Sequence, residues 1–537
     1  MRRVATPAIA AAVIFAILVL PNHPDAMAWS ALNRWPLELP VLLLGMLAIG
    51  RRWGASYIFA FLLLVAFVIK VADIAMLSAF NRTFNPILDT FLIGAGLSLL
   101  RDSIGGVLTV LAVISTAGLL ILLFLALERS LRIWATYALT RPLRASAAVL
   151  ALLGAGWAAA DVGHHLEYWR FDKSPPGSAW TTRLTLKRGI ELERTATELA
   201  RFTAEAQSDT YADTTGLLNA LDGRDVILIW IESYGRASFE NPLYAPTHLE
   251  TLREAEAEIT RSGMAMKSGW LTSPTSGGQS WLAHGALASG LWTSDNGRYN
   301  AMLASGHKWL FHFAQDAGYR TSAIMPAITM GWPESRAMGF DTVIPAADIP
   351  YQGARFRWVT MPDQFTLATY PALLPPDPRP DFVQIALISS HAPWTPIPDM
   401  VPWEKVGDGT IFNEMAARGP EPKALWRDRD AVRDAYRRSV DYALRATFSH
   451  VARLGDEAPL VIVVGDHQAA GFVAGSDDMD VAAHMIGPPK LLRLIDHWGW
   501  TDGLVPAADG PVRRMDSFRN DFLEAFTLAQ VSEMAGQ

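Results

Sequence analysis

The 537-residue chain is too long for one ordinary domain, and it is half hydrophobic with 18% charged residues and a mean hydropathy of +0.17. Those values exclude a disordered chain and point to a part that resides in lipid. The net charge of −7 divides into +5 over residues 1–165 (12 Lys/Arg against 7 Asp/Glu) and −12 over the rest (34 against 46), which excludes a nucleic-acid binder, because affinity for phosphate backbones needs basic surface. There is no cysteine, so disulfides, thiolate metal sites and a cysteine nucleophile are excluded as well.

Five segments of the first third are apolar enough to be read as membrane spans: 4–21, 36–50, 54–79, 107–127 and 145–160. A sixth apolar stretch, 84–100, is interrupted by Asp89 and bounded by Arg101, and reads as a helix on the membrane surface. Arg2, Arg3, Arg51, Arg52, Arg129, Arg132, Arg141 and Arg144 fall on one side of this pattern, and Arg34, Arg82 and Arg101 on the other. The positive-inside rule then puts the N-terminus in the cytoplasm and everything after about residue 165 outside. Lys70, late in the third span, is expected to snorkel outward. A second reading of the start is a cleavable signal peptide ending at Ala26, Met27 and Ala28; it leaves four spans and the same external location for the remainder. A transmembrane domain over 1–163, a linker with a docking helix over 164–224, and a soluble domain over 225–537 are expected.

The stretch 191–206 (ELERTATELARFTAEA) predicts a helix. From 225 short apolar runs alternate with amphipathic stretches. DVILIWIE (225–232), TSAIM (321–325), DFVQIALISS (381–390) and PLVIVVGD (459–466) read as strands, 309–320 and 428–454 as helices. The alternation predicts an α/β domain with a mainly parallel sheet flanked by helices, whose site lies at the carboxyl ends of the strands.

Three of these strands end in ionisable residues: Glu232, His391, and the pair Asp466 and His467. A buried run that stops in an unpartnered carboxylate or imidazole is costly, by several kcal/mol in order of magnitude, unless something compensates the charge. A divalent cation does so, and two carboxylates with an imidazole suit Zn²⁺ or Mn²⁺. Each residue taken alone also reads as an ordinary polar strand end; their coincidence in one domain makes the case. A second constellation is LTSPTSGGQSWLAHGALASGLW (271–292), where two glycines precede Ser280 and an Ala-rich run follows. It predicts a tight turn that sets a hydroxyl at a helix N-terminus, where anions are favoured and where a serine beside a cation is an activated nucleophile or, more simply, a helix cap.

Glu232 in IWIESYG, Ser280 heading a small-residue helix, His391 in SSHAPW, then Asp466-His467 in VVGDHQ: in this order the motifs resemble the sulfatase/alkaline-phosphatase superfamily. Within it they resemble most the membrane branch of lipoteichoic acid synthases and phosphoethanolamine or phosphoglycerol transferases. The resemblance covers about 225–525 in the enzyme domain. It implies an alkaline-phosphatase-like fold and one divalent metal ion, Zn or Mn, held by Glu232, Ser280, Asp466 and His467. Ser280 is then the nucleophile, with Thr275 and Ser276 as nearby competitors, and His391 handles the phosphoryl group. GWPESRAMGFD (331–341) resembles a substrate-facing segment of the branch and implies Trp332 and Arg336 as substrate contacts; Asp363 and His484 are further candidates. A formylglycine sulfatase is not implied, because the positions two and four after Ser280 are Leu282 and His284.

The activity implied is transfer of a phosphoethanolamine or phosphoglycerol head group from a membrane phospholipid to a glycan or lipid acceptor, at the outer face of a bacterial inner membrane. A membrane-anchored phosphodiesterase or phosphatase that uses water, and a non-catalytic membrane protein with a degenerate domain, are the alternatives. The apolar spans hold few ionisable residues beyond Lys70 and Asp73, which speaks against an ion pathway.

Overall fold

The computed structural model describes the chain except residues 1, 28–34, 52–53, 81–82, 170, 172–175, 330–331, 456–457 and 529–537. Ala28, Arg34, Arg52 and Arg82, which entered the reading of the membrane topology, lie outside the described residues. The chain forms two compact units, Met1–Glu198 and Leu199–Gln537.

The first unit is helical: α1 (Arg2–Val19), α2 (Glu38–Ile49), α3 (Ala55–Phe80), α4 (Phe91–Ile104), α5 (Gly106–Ala135), α6 (Arg141–His165) and α7 (Trp180–Ala206), whose last turns enter the second unit. Among the described residues, three stretches, Ala55–Ser78, Gly106–Ala135 and Arg141–His165, are long and apolar enough to cross a membrane, whereas Thr6–Val19 and Glu38–Ile49 are apolar but shorter. The five expected spans are thus unequal: three reach bilayer length and two fall short of the roughly 20 residues that a straight crossing takes. α4, at 14 residues, is also short and begins at Phe91 rather than 84. α7 begins at Trp180, well before the predicted 191, because its amphipathic pattern runs on through LTLKRGIEL.

Lys70 corrects one expectation. Its side chain does not snorkel outward. It is fully buried, and its ammonium donates to the carbonyls of Ile17 and Leu18 at 3.0 Å each and to Thr181 Oγ1 at 2.8 Å. The last turn of α1 leaves carbonyls without helical partners, and the ammonium satisfies them. Asp73, one turn further along α3, is held by both terminal oxygens against the Arg188 guanidinium, at 2.9 and 2.8 Å, and accepts from Asn22 Nδ2 at 2.8 Å. Both buried charges of α3 are therefore structural partners.

The second unit is a nine-stranded sheet covered by helices on both faces. Its strands are β1 (Val226–Ile231), β2 (Ala265–Thr272), β3 (Arg320–Met325), β4 (Thr342–Pro345), β5 (Asp381–Ala386), β6 (Leu460–Gly465), β7 (Asp480–Gly487), β8 (Thr501–Asp502) and β9 (Val512–Arg514). The order is β4-β3-β5-β1-β6-β7-β2-β8, with β9 beside β2. From β4 to β6 all neighbours are parallel; β7 runs antiparallel to β6 and to β2. The antiparallel wing was not anticipated, because AMKSGWLT and DVAAHMIG mix polar and small residues and lack the continuous apolar run of β1 and β6.

That continuous run has a physical cause. Ile227, Ile229 and Ile231 face one core layer, together with Val461 and Val463, against the helices Ala245–Arg261 and Arg429–Ala452. Val226, Leu228 and Trp230 face the other, together with Leu460, Ile462 and Val464. There they meet Leu282, Ala283, Ala286 and Leu287 of the helix Ser280–Ser289. A strand buried on both faces has no polar side to show.

Candidate active site

β1 and β6 lie side by side in parallel, with Ile231 opposite Gly465. The next residue of each strand is a carboxylate, so Glu232 and Asp466 leave the sheet together at its carboxyl edge. Gly465 is required there: a Cβ would stand 1.9 Å from the Tyr234 carbonyl oxygen, which leaves no room for any side chain. Asp466 Oδ1 accepts from the backbone N–H groups of Ser233 at 2.7 Å and His467 at 2.6 Å. Its other oxygen, Oδ2, is 3.6 Å from His467 Nε2, and Glu232 Oε1 is 3.3 Å from the same nitrogen. His467 Nδ1 is turned to the Gln468 carbonyl at 2.9 Å, which fixes the ring so that Nε2 points at the carboxylates. Ligand atoms of Glu232, Asp466 and His467 all lie within 4.8 Å of one another. Among the described residues no other group of three such side chains comes together in this way.

Ser280 joins them. Its Oγ is 3.1 Å from Glu232 Oε2, to which it donates, and 3.4 Å from His467 Nε2. The turn that delivers it is built from backbone with positive φ: Gly277 (71°), Gly278 (141°) and Gln279 (65°) precede the helix Ser280–Ser289. The Gly277 N–H donates to the Gln468 carbonyl at 2.8 Å, so the turn is tied to the segment just past His467. The non-glycine Gln279 carries a conformational cost of order 1–3 kcal/mol, the kind of strain that collects at sites. Thr275 and Ser276 do not compete for the position. The Thr275 hydroxyl closes the turn by donating to the Gly278 carbonyl at 2.7 Å, and Ser276 is exposed where it pairs with Gln468.

His391 follows β5 on a loop cross-tied to β1: Leu387 N donates to the Trp230 carbonyl at 3.0 Å and Ser390 Oγ to the Glu232 carbonyl at 2.7 Å. Its Nδ1 lies 2.5 Å from the Ala392 carbonyl, and its ring faces the exposed Trp358 at 6.1 Å between centroids.

The electrostatics are those of acids and imidazoles packed closely together. Burial raises the Glu232 carboxyl, but the His391 and His467 imidazoles together hold it well below the usual carboxylate range. Burial and the Glu232 charge push Asp466 up. Burial lowers His467, and the Asp466 and Glu232 carboxylates more than reverse that and raise it. The donor set fits one divalent cation: the buried Asp466 carboxylate, the half-buried Glu232 carboxylate, and an imidazole whose second nitrogen is fixed by a backbone carbonyl.

Two candidates are placed elsewhere than expected. His484 lies on β7 in the core and is fully buried; its Nδ1 is 2.7 Å from Ser268 Oγ and its Nε2 3.2 Å from the Tyr234 hydroxyl. Both ring nitrogens are engaged inside the protein, and burial pushes the imidazole down to about 3, so it does not contact substrate as a cation. Asp363 is fully buried as well, and its Oδ1 accepts from the N–H groups of Ile388 at 2.8 Å and Ser389 at 2.9 Å. It holds the loop that carries His391. Trp332 is half-buried against Phe340, with ring centroids 6.0 Å apart, and Arg336 is exposed on the same 3₁₀ turn, Pro333–Met338. Neither forms a hydrogen bond or ion pair with the Glu232 group among the described residues. Gly331, the first residue of that motif, lies outside the described residues.

Sequence reasoning missed the scaffold. His284, one helical turn below Ser280, stacks on Trp230 at 4.2 Å between centroids, and its Nε2 is buried without a hydrogen bond. The spacing of four from Ser280 was the available signal. Nothing local marks Trp358 or Ser390.

Asp363 supports a pH prediction. Burial pushes its carboxyl up to about 6 from the ordinary 3.8, so the folded state keeps a proton that the unfolded chain has already released. Stability tied to this group is full below pH 3.8 and falls as pH rises to about 6, by about 3 kcal/mol. Asp363→Asn removes that slope. Thermal melts of the two proteins across this window should therefore diverge as pH rises, the wild type losing more; parallel curves would mean that the carboxyl does not titrate there.

Residues 224–479 match the family model described as Sulfatase. No curated protein is matched by the chain. Among solved structures, the chain is similar to the integral membrane protein lipooligosaccharide phosphoethanolamine transferase A from Neisseria meningitidis, with 14% identity over 96% of this chain and 95% of that one and a TM-score of 0.47. It is also similar to the lipoteichoic acid synthase LtaP from Listeria monocytogenes (13% identity, 62% and 79% of the two chains, TM-score 0.36). A third is the phosphoglycerol transferase GacH from Streptococcus pyogenes (13%, 61% and 79%, TM-score 0.36). The family match spans the strands whose ends meet at Glu232 and Asp466, so residues 224–479 form a sulfatase-like domain, with apolar helices ahead of it in the chain.

Proposed function

We propose that the second unit transfers a phospho-head-group, phosphoethanolamine or phosphoglycerol, from a membrane phospholipid to a hydroxyl of a glycan or lipid through a covalent phospho-Ser280 intermediate. The observation that carries this reading is the Ser280 oxygen, 3.1 Å from Glu232 and 3.4 Å from His467 in a donor set suited to a cation. A divalent cation, Zn or Mn, bound by Glu232, Asp466, His467 and Ser280 would lower the pKa of the serine hydroxyl and screen the phosphate charge.

Ser280 attacks the phosphorus in line as the bond to the diacylglycerol oxygen breaks. The serine proton passes to Glu232 Oε2, to which the hydroxyl already donates, as the Oγ–P bond forms. The departing oxygen takes a proton from His391, the imidazole carried on the loop after β5. In the second half the acceptor hydroxyl gives its proton to His391 and its oxygen bonds to phosphorus. The Oγ–P bond then breaks and Ser280 regains its hydrogen from Glu232. The first turn of the helix Ser280–Ser289 lends partial positive charge beside the phosphate. Trp332 and Arg336 are proposed to line the approach of the head group.

The apolar helices and the Lys/Arg asymmetry support placement in a bacterial inner membrane with residues 225–537 outside, which keeps the donor in the bilayer during reaction. Incubation of the metal-loaded full-length protein with head-group-labelled phosphatidylethanolamine or phosphatidylglycerol tests the reading. Label moving to an acceptor supports transfer. Label released only as free phospho-head-group makes water the acceptor, and label that stays on lipid sinks the proposal.

A further inference from the structure

In the first unit a cavity of about 720 Å³ opens among Asn22 just past α1, Thr83 just past α3, the end of α6 from His165 to Tyr168, and one face of α7. α1, α3 and α6 are apolar, and all three end at its rim. The cavity therefore sits where apolar helix surface gives way to polar chain, the depth at which lipid head groups lie. Trp180 and Tyr168 line it, residue types that favour that boundary.

Its charge is biased. Arg183, Lys187, Arg188 and Arg194 line the cavity against two carboxylates, Glu167 and Glu191. Arg188 is committed to Asp73 and Glu191 and is only 7% exposed. Arg183 lies over the Trp180 ring at 4.9 Å, and Lys187 is 3.9 Å from Glu191. The spacing 183, 187, 194 sets the other three on one face of α7. A second cavity of about 330 Å³ shares Thr83, Arg188, Glu191 and Arg194 with the first and adds Glu198, so its charge is balanced and the basic bias belongs to the larger cavity.

We propose that this cavity binds the phosphodiester head group of a membrane phospholipid, with Arg183, Lys187 and Arg194 around the phosphate and the acyl chains along the apolar helices. The volume suits a head group, and the excess of cations suits its phosphate. The proposal stands apart from the Ser280 chemistry and holds or fails without it.

The test is lipid retention by the full-length Ser280→Ala protein in detergent, read by native mass spectrometry with phosphatidylglycerol, phosphatidylcholine or diacylglycerol added. Both phospholipids should be retained and diacylglycerol not. Lys187→Ala with Arg194→Ala, both at exposed positions, should weaken phospholipid binding by about tenfold or more with an unchanged melting temperature. Arg183→Gln is a second, separate variant and should weaken it too. Equal retention of diacylglycerol, or unchanged binding in both variants, overturns the proposal. So does inorganic phosphate at micromolar concentration displacing the lipid, which would make this a site for free phosphate.

Discussion

Full-length protein exposed to its phospholipid donor should gain a covalent adduct that Ser280→Ala does not form. The expected mass gain is about 123 Da for phosphoethanolamine or about 154 Da for phosphoglycerol, as a phospho-serine intermediate requires. Intact-mass spectrometry of quenched samples reads it directly. Transfer by Ser280→Ala should fall by about 10³-fold or more, because the variant loses the proposed nucleophile and keeps only binding and electrostatics. The substitution removes one half-buried oxygen and should leave the fold intact. Thr275→Val is the matched control: it breaks the hydrogen bond that closes the turn, at about 1 kcal/mol, yet should still form the adduct. An adduct that persists in Ser280→Ala would move the nucleophile elsewhere.

The second large effect concerns the cation. Glu232→Gln and Asp466→Asn should each lose stoichiometric divalent metal, measured by elemental analysis of the purified protein, while the wild type holds about one ion per chain. Each substitution keeps the side-chain volume and removes a charge from a set of donors lying within 4.8 Å of one another. Binding that stabilises only the folded state raises the melting temperature, so added Zn²⁺ or Mn²⁺ should raise it in the wild type and not in the variants. A chelator should abolish transfer, and re-addition of metal should restore it. Metal retained at one per chain in both variants would disprove the assignment of these ligands.

Much of this was legible in the sequence for an identifiable reason. β1 and β6 are buried on both faces, so their runs are unbroken and their polar terminators, Glu232 and Asp466, stand out. The glycine pair before Ser280 announced a turn because only residues tolerant of positive φ build it. The antiparallel wing was hidden because β2 and β7 carry polar residues satisfied by each other and by loops, as His484 is by Ser268 and Tyr234. Nothing in the sequence around His484 marks its two partners, which come from β2 and from the turn after β1. Asp363 shows the same limit: a buried carboxylate that accepts from two loop N–H groups has the same letter as one that meets substrate. Segment 36–50 yields only Glu38–Ile49, which stops at Gly50, whereas 145–160 lengthens to Arg141–His165 through flanking polar residues that an apolar run does not count.

The alternation along the two central strands has an evolutionary consequence. Glu232 follows Leu228 and Trp230 by steps of two, and Asp466 follows Ile462 and Val464 in the same way, so both carboxylates inherit the layer that contains the serine helix. Parity, more than apolar content, thus decides where these acids emerge. A one-residue insertion inside either strand would leave the run just as greasy yet turn its terminal acid to the opposite layer. Gene lineages that keep the chemistry should therefore tolerate length changes in β1 or β6 only in pairs, while the loops after them are free to drift.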